Sequence, residues 1–242
     1  MQRIRILTAN AGALGDQLED AVFAHGPDVV ALTGVGPARA LRLAAPRSMR
    51  AATQSWSGEN AGLALLWKAG LAVGSLDRFD FGQSGEPHGA LRISFPLDGR
   101  QVSVYCSSLS SEHAVPTRQL ARLAELIDAA RQPSLAACEG AGTDAGAWSR
   151  CADAWTAAQR RVVTLAATSD AGLAVRQAFG IAREAAPVYG RSQAGPIWLC
   201  SEEFSVIESR SIAVAGAPDR LVWTATVALR ASAADENVAI AL

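Results

Sequence analysis

Asp219 and Arg220 stand side by side just ahead of an apolar run. An arginine so placed can grip a phosphate or carboxylate with its planar fork, and the competing reading is an ion pair or a surface side chain. Asn10 closes the first apolar run, where an asparagine either meets a ligand or caps a turn. Ser107 and Ser108 end another run; with no histidine beside them they read as hydroxyls satisfying backbone groups rather than as nucleophiles. His25, His88 and His113 share no metal-ligand spacing with one another or with a cysteine, and read as surface or capping residues. Cys106, Cys138, Cys151 and Cys200 lack the close pairing of a zinc or redox motif. Reduced buried thiols are the plain reading, and a thiolate metal site from Cys106, Cys138 and Cys200 is the sharper one.

Charge narrows the function little. Lys and Arg number 22 against 23 Asp and Glu, a formal net charge of -1, so there is no overall electrostatic signature for nucleic acid. Met1 to Leu7 alternates as a strand rather than opening like an export signal, which makes the cytoplasm the expected location. Apolar runs break off well short of the roughly 20 residues that span a bilayer, so no membrane span is expected. With half of its 242 residues hydrophobic and 19% charged, the chain has material for one buried core. A single domain over residues 1–230 is expected, followed by a small, acidic tail over 231–242.

The positioning elements follow from periodicity. Strand-like runs fall at Ile4–Thr8, Asp28–Leu32, Leu63–Trp67, Ala90–Phe95, Val102–Tyr105, Ser134–Ala137, Ile197–Cys200 and Leu221–Leu229. Helical spacing marks Pro116–Arg131, Asp16–His25 ending at Gly26-Pro27, and Ala147–Ala158. So many strands call for two sheets. The expected architecture is an α/β (α+β) four-layer α/β/β/α sandwich of two mixed sheets with helices outside.

Five of these segments, in order, resemble landmarks of the endonuclease/exonuclease/phosphatase (deoxyribonuclease I-like) superfamily. Thr8-Ala9-Asn10 is similar to its T-x-N strand end, and Pro27 to Val35 to its PDVVALQEV strand. Val102 to Leu109 followed by Arg118-Gln119 is similar to its His-Leu strand and the helix after it. Ser134 to Gly140 stands where GDFN would end a strand, and Pro218-Asp219-Arg220 resembles the terminal SDH. The resemblance implies the two-sheet fold and hydrolysis of phosphate esters assisted by a divalent ion, usually Mg²⁺.

Carried over residue by residue, the resemblance leaves little of that machinery. Asn10 matches the asparagine near the metal and Asp219 the terminal aspartate. The metal-binding glutamate falls on Gly34, the first histidine on Ser108, the GDFN aspartate on Cys138 and its asparagine on Gly140. The aspartate that orients a histidine falls on Trp198, and the terminal histidine on Arg220. Shifting one segment by a residue puts Glu139 in the aspartate's place and Ala141 in the asparagine's. Arginine cannot serve as the base, because its pKa stays above about 12. Loss of acid–base help alone costs about 10²- to 10⁴-fold in rate.

The expectation is a catalytically inactive binding or regulatory module that needs no cofactor. Its partner is unidentified, with a phosphate-containing ligand held by Asn10, Asp219 and Arg220, or a protein, as the options. Trp198 and Trp223 would fill the disused site or offer an aromatic platform. The alternative is an active phosphodiesterase, endonuclease or phosphatase holding Mg²⁺ or Mn²⁺ through relocated ligands: Asp219, Glu139, and a loop carboxylate such as Asp144 or Glu86.

Overall fold

The computed structural model describes residues 2–56, 62–81, 88–109, 115–140, 162–166, 197–201, 203–215 and 217–230. The N-terminal alternation becomes β1 (Arg3–Asn10), and the apolar run after Pro27 becomes β2 (Val29–Thr33). Every residue of β2 is buried, as a strand covered on both faces should be. Between them lie α1 (Ala11–Leu14), a 3₁₀ turn over Gly15–Gln17, and α2 (Leu18–Phe23). The helix is shorter than the expected Asp16–His25. Gly15 enters the 3₁₀ turn at a positive φ of 54°, and Gly26 leaves the helix end at 55°.

α3 (Pro37–Ala44), with proline in its first turn, leads to β3 (Met49–Ser55) and β4 (Gly62–Lys68). The second half of the fold begins with β5 (Ser75–Asp80), β6 (Gly89–Leu97) and β7 (Arg100–Leu109). Asp98 and Gly99, both at positive φ, join β6 to β7 in a two-residue hairpin of the kind this dipeptide favours. Then come α4 (Val115–Ala130), β8 (Ser134–Gly140), β9 (Val162–Ala166), β10 (Ile197–Ser201), β11 (Phe204–Val214) and β12 (Ala217–Leu229).

These strands form two six-stranded sheets, ordered β11-β12-β1-β2-β4-β3 and β5-β6-β7-β8-β10-β9. Each is mixed: one parallel pair, β1 with β2 and β7 with β8, sits among antiparallel neighbours. Alternation along the strands divides the apolar residues between two clusters. Ile4, Ile6, Val29, Ala31, Leu63 and Leu65 meet Leu91, Ile93, Phe95, Val102, Val104 and Leu135 between the sheets. Leu7, Val30, Leu32 and Leu66 turn outward onto Leu14, Leu18, Val22 and Leu43 of the first three helices and the turns beside them. On the other sheet's outer face the Tyr105 hydroxyl donates to the Leu126 carbonyl of α4 at 3.4 Å. The α/β/β/α layering is thus as expected. The expected helix over Ala147–Ala158 and the tail Ala231–Leu242 lie outside the described residues.

Candidate functional site

The two parallel ladders end side by side. Asn10, last in β1, is paired with Thr33 of β2, and Gly34 follows at once. In the other sheet Ser108 is paired with Glu139, and Leu109 with Gly140. The Cys106 thiol donates across the sandwich to the Leu32 carbonyl at 3.5 Å, so both ladders terminate at the same end of the molecule. β10 runs antiparallel to β8, with Ile197 opposite Cys138 and Trp198 opposite Ala137. β12 runs antiparallel to β1, its Trp223 opposite Thr8, which brings the strand's start at Ala217 to Arg220 to that end too. Backbone topology therefore gathers Asn10, Gly34, Ser108, Cys138, Glu139, Gly140, Trp198, Asp219 and Arg220, far apart in sequence, around one mouth. Glu139, Trp198, Asp219 and Arg220 are placed there by their backbone.

Register also sets positions 138 and 139 apart along β8. Leu135 and Ala137 belong to the cluster between the sheets, whereas Cys138 is buried and alternates with them. Position 139 has the parity of Leu135 and Ala137 and pairs directly with Ser108. Position 138 pairs with Ser107 and position 139 with Ser108, so the direct and the shifted placement of the aspartate fall on adjacent rungs of the same ladder. Cys106 and Cys138 for the same reason stand on opposite faces of their sheet, so the two thiols do not converge. Cys200 pairs with Leu135, three residues along β8 from Cys138. Among the described residues, no three His, Cys, Asp or Glu side chains are grouped to hold a metal ion.

The corner at Gly34 has specific geometry. Its φ is +63°, in the left-handed region that side chains rarely adopt. A Cβ on Gly34 would lie 3.1 Å from Asn10 Oδ1 and 3.1 Å from the Gly12 nitrogen. A divalent ion of the Mg²⁺ type needs at least one or two carboxylates; Asn10, Gly12 and Gly34 supply none, and a side chain at position 34 would be crowded and strained.

Below it, Thr8 and Thr33 share the parity of the core residues Ile6 and Ala31 and are buried, and neither hydroxyl has a hydrogen-bond partner among the described residues. Ser107 differs: its hydroxyl donates to the Gly89 carbonyl at 3.0 Å, satisfying the backbone as expected for a strand-end serine. Ser108 beside it is half-buried.

The rim carries features that a motif search does not find. Gln54 Nε2 donates to the Phe79 carbonyl at 3.1 Å, and Arg78 Nε donates to the Thr53 carbonyl at 3.0 Å, tying β3 of one sheet to β5 of the other. A Cβ on Gly89 would fall 2.2 Å from the Phe79 carbonyl oxygen, and one on Gly62 would fall 2.6 Å from that of Val35. The available signal was a glycine at each strand's start, which marks close backbone approach. Arg39 of α3 donates to the Ala11 carbonyl at 3.2 Å and also to that of Gly15, holding down the segment after Asn10. His25 follows α2, its carbonyl accepting from Arg5 Nη1 at 2.7 Å, and the His88 carbonyl accepts from the Phe81 nitrogen at 2.9 Å. His113, Asp144 and Glu86 lie outside the described residues.

A sandwich of this topology, with its mouth at the ends of the two parallel ladders, is the endonuclease/exonuclease/phosphatase fold, and comparison with solved structures shows the same. The catalytic domain of human Nocturnin, solved with a bound sulfate anion, superposes with a TM-score of 0.70 at 13% identity over 94% of each chain. A humanised D. rerio TDP2 gives 0.66 at 14% identity over 93% of this chain and 98% of its own. An endonuclease/exonuclease/phosphatase protein of Beutenbergia cavernae gives 0.66 at 17% over 95% and 72%. At such identities the likeness is one of fold. No family model and no curated protein matches the sequence.

Proposed function

We propose that this chain is a catalytically inactive binding or regulatory module of the cytoplasm. It uses the mouth of a phosphodiesterase-type fold to recognise a phosphate-containing molecule or a protein partner. One observation carries the reading. The strand ends that converge at the mouth bear Gly34, Ser108, Cys138, Gly140, Trp198 and Arg220 where the superfamily resemblance calls for a glutamate, a histidine, an aspartate, an asparagine, a second aspartate and a second histidine. Asn10 and Asp219 alone match in type; shifting one segment by a residue adds Glu139 and moves the asparagine's place to Ala141. Without a base the phosphate chemistry implied by the resemblance lacks its largest protein contributions. Recognition needs less, and Arg220 beside Asp219 suits an oxyanion. Two proteins of this fold were solved with a sulfate anion and with a single-strand DNA product, which makes phosphate-type ligands the first to try. No helix among the described residues is long and apolar enough to cross a membrane.

A second reading is favoured by one observation: Glu139 and the start of β12, with Asp219, share the mouth. In that reading they are relocated ligands of an active, Mg²⁺- or Mn²⁺-dependent phosphoric ester hydrolase. Thermal unfolding with and without millimolar Mg²⁺ or Mn²⁺, run beside hydrolysis of bis(p-nitrophenyl) phosphate, separates the two. The inactive module gives no metal-dependent rise in midpoint and no turnover. A clear rise, with turnover abolished by Asp219→Ala, establishes the hydrolase instead.

A further inference from the structure

We infer that the turn after β1 has closed over the place where the fold's metal-binding carboxylate would stand, so that restoring the carboxylate at position 34 does not restore a metal site. This deepens the reading of the mouth as metal-free and rests on it. Replacement of glutamate by glycine leaves an empty corner only if the neighbours stay where they were. Here they crowd it: the point where a Gly34 Cβ would sit lies 3.1 Å from Asn10 Oδ1 and 3.1 Å from the Gly12 nitrogen, tighter than ordinary contact, with the Gly12 Cα at 3.6 Å. Two of these three atoms are backbone, which cannot swing aside as a side-chain end can. Gly12 faces the same group, since a Cβ there would meet Asn10 Oδ1 at 3.3 Å, with the Gly34 carbonyl oxygen in ordinary contact at 3.6 Å. The backbone itself is committed, because φ of +63° at position 34 disfavours any L side chain whatever the space.

The segment is also held from outside. Arg39 binds the carbonyls of Ala11 and Gly15, and the Val35 nitrogen donates to the Gly62 carbonyl at 3.3 Å, so both flanks of the corner are anchored to other elements. Asn10 is accordingly a positioning residue of this turn: its amide is wedged between two glycines that have no side chains.

The test uses the full-length protein with Gly34→Ala, Asn10→Ala, the double variant and Gly34→Glu. Unfolding is followed in chelator, and Mn²⁺ binding is read directly by titration calorimetry. Gly34→Ala should lower the unfolding midpoint by about 3 °C or more. The loss should be smaller when Asn10→Ala is already present, because removing the amide removes part of the clash. Gly34→Glu should bind no more Mn²⁺ than the parent. An unchanged midpoint in Gly34→Ala overturns the inference, even where Gly34→Glu fails to fold. So does a folded Gly34→Glu that takes up an additional equivalent of Mn²⁺. Failure of the metal-free reading itself looks different, since it appears as Mn²⁺ binding and turnover in the parent protein.

Discussion

Replacing Thr8 and Thr33 by valine should make the protein more stable. Both residues are buried and neither hydroxyl has a partner among the described residues, which leaves each donor and acceptor desolvated and uncompensated there. Such a group costs roughly 1–3 kcal/mol, and an isosteric methyl removes the cost while adding apolar burial. Taking the low end, each substitution should contribute about 1 kcal/mol of stability. Thr8 pairs with Ala31 and Thr33 with Asn10, so the two are not direct cross-strand partners. They are diagonal neighbours on one face and can couple, so the double variant should gain about 1–2 kcal/mol. In a chain of this length that raises the midpoint by roughly 2–8 °C. Differential scanning calorimetry of both single variants and the double variant measures it, and urea unfolding checks that the m-value is unchanged. Thr224→Val is the internal control: its hydroxyl donates to the Ile6 carbonyl at 3.1 Å, so the same chemical change should lower stability by about 1 kcal/mol. If all three variants fall together, the hydroxyls beneath the mouth do have partners and the reasoning fails.

Three further outcomes follow from the geometry. Gly89→Ala forces a Cβ to within 2.2 Å of the Phe79 carbonyl oxygen and should cost about 2–4 kcal/mol, seen as a large drop in midpoint or loss of soluble protein; wild-type stability would contradict the close approach. Burial raises the Tyr105 phenol above its ordinary pKa, and the neighbouring Arg92 guanidinium opposes this. Because the folded value lies above the unfolded one, the contribution is present through neutral pH and is lost as pH rises past about 10. Tyr105→Phe should therefore flatten the alkaline limb of a stability–pH curve, and an unaltered limb would assign that slope to other groups. Arg39→Leu removes the donors to Ala11 and Gly15 and should cost about 1–3 kcal/mol, with faster amide exchange in residues 11–17 as the local signature. Uniformly faster exchange across the chain would point instead to a global effect.

Legibility in the sequence follows burial. The strands found from apolar runs, among them β1, β2, β4, β6, β7 and β8, are interior strands whose residues have to be apolar on at least one covered face. The strands not found, β3, β5, β9 and β11, are the four sheet edges. In β5 the burial alternates along Ser-Leu-Asp-Arg-Phe-Asp, and in β3 one residue of seven is buried, so neither carries the signal that a covered strand must. Such edges form because a neighbour is already in place to pair with them. α3, absent from the periodic reading, is eight residues long and packs by Ala40, Leu43 and Ala44.

The sequence by itself determined the class of fold and named the positions of the mouth, because short strand-end motifs persist in order along the chain. Tertiary structure decided what those positions amount to. That Glu139 rather than Cys138 pairs with Ser108 is a matter of register, since one residue of slip reverses the face a side chain joins. That Gly34 is a closed corner rather than a missing side chain depends on Asn10 and Gly12, which approach it only once β1 and β2 lie parallel and the turn between them folds back. The cost of Thr8 and Thr33 is equally invisible in one dimension. A threonine is ordinary in a strand, and it becomes expensive only when a second sheet removes the water that would have served its hydroxyl.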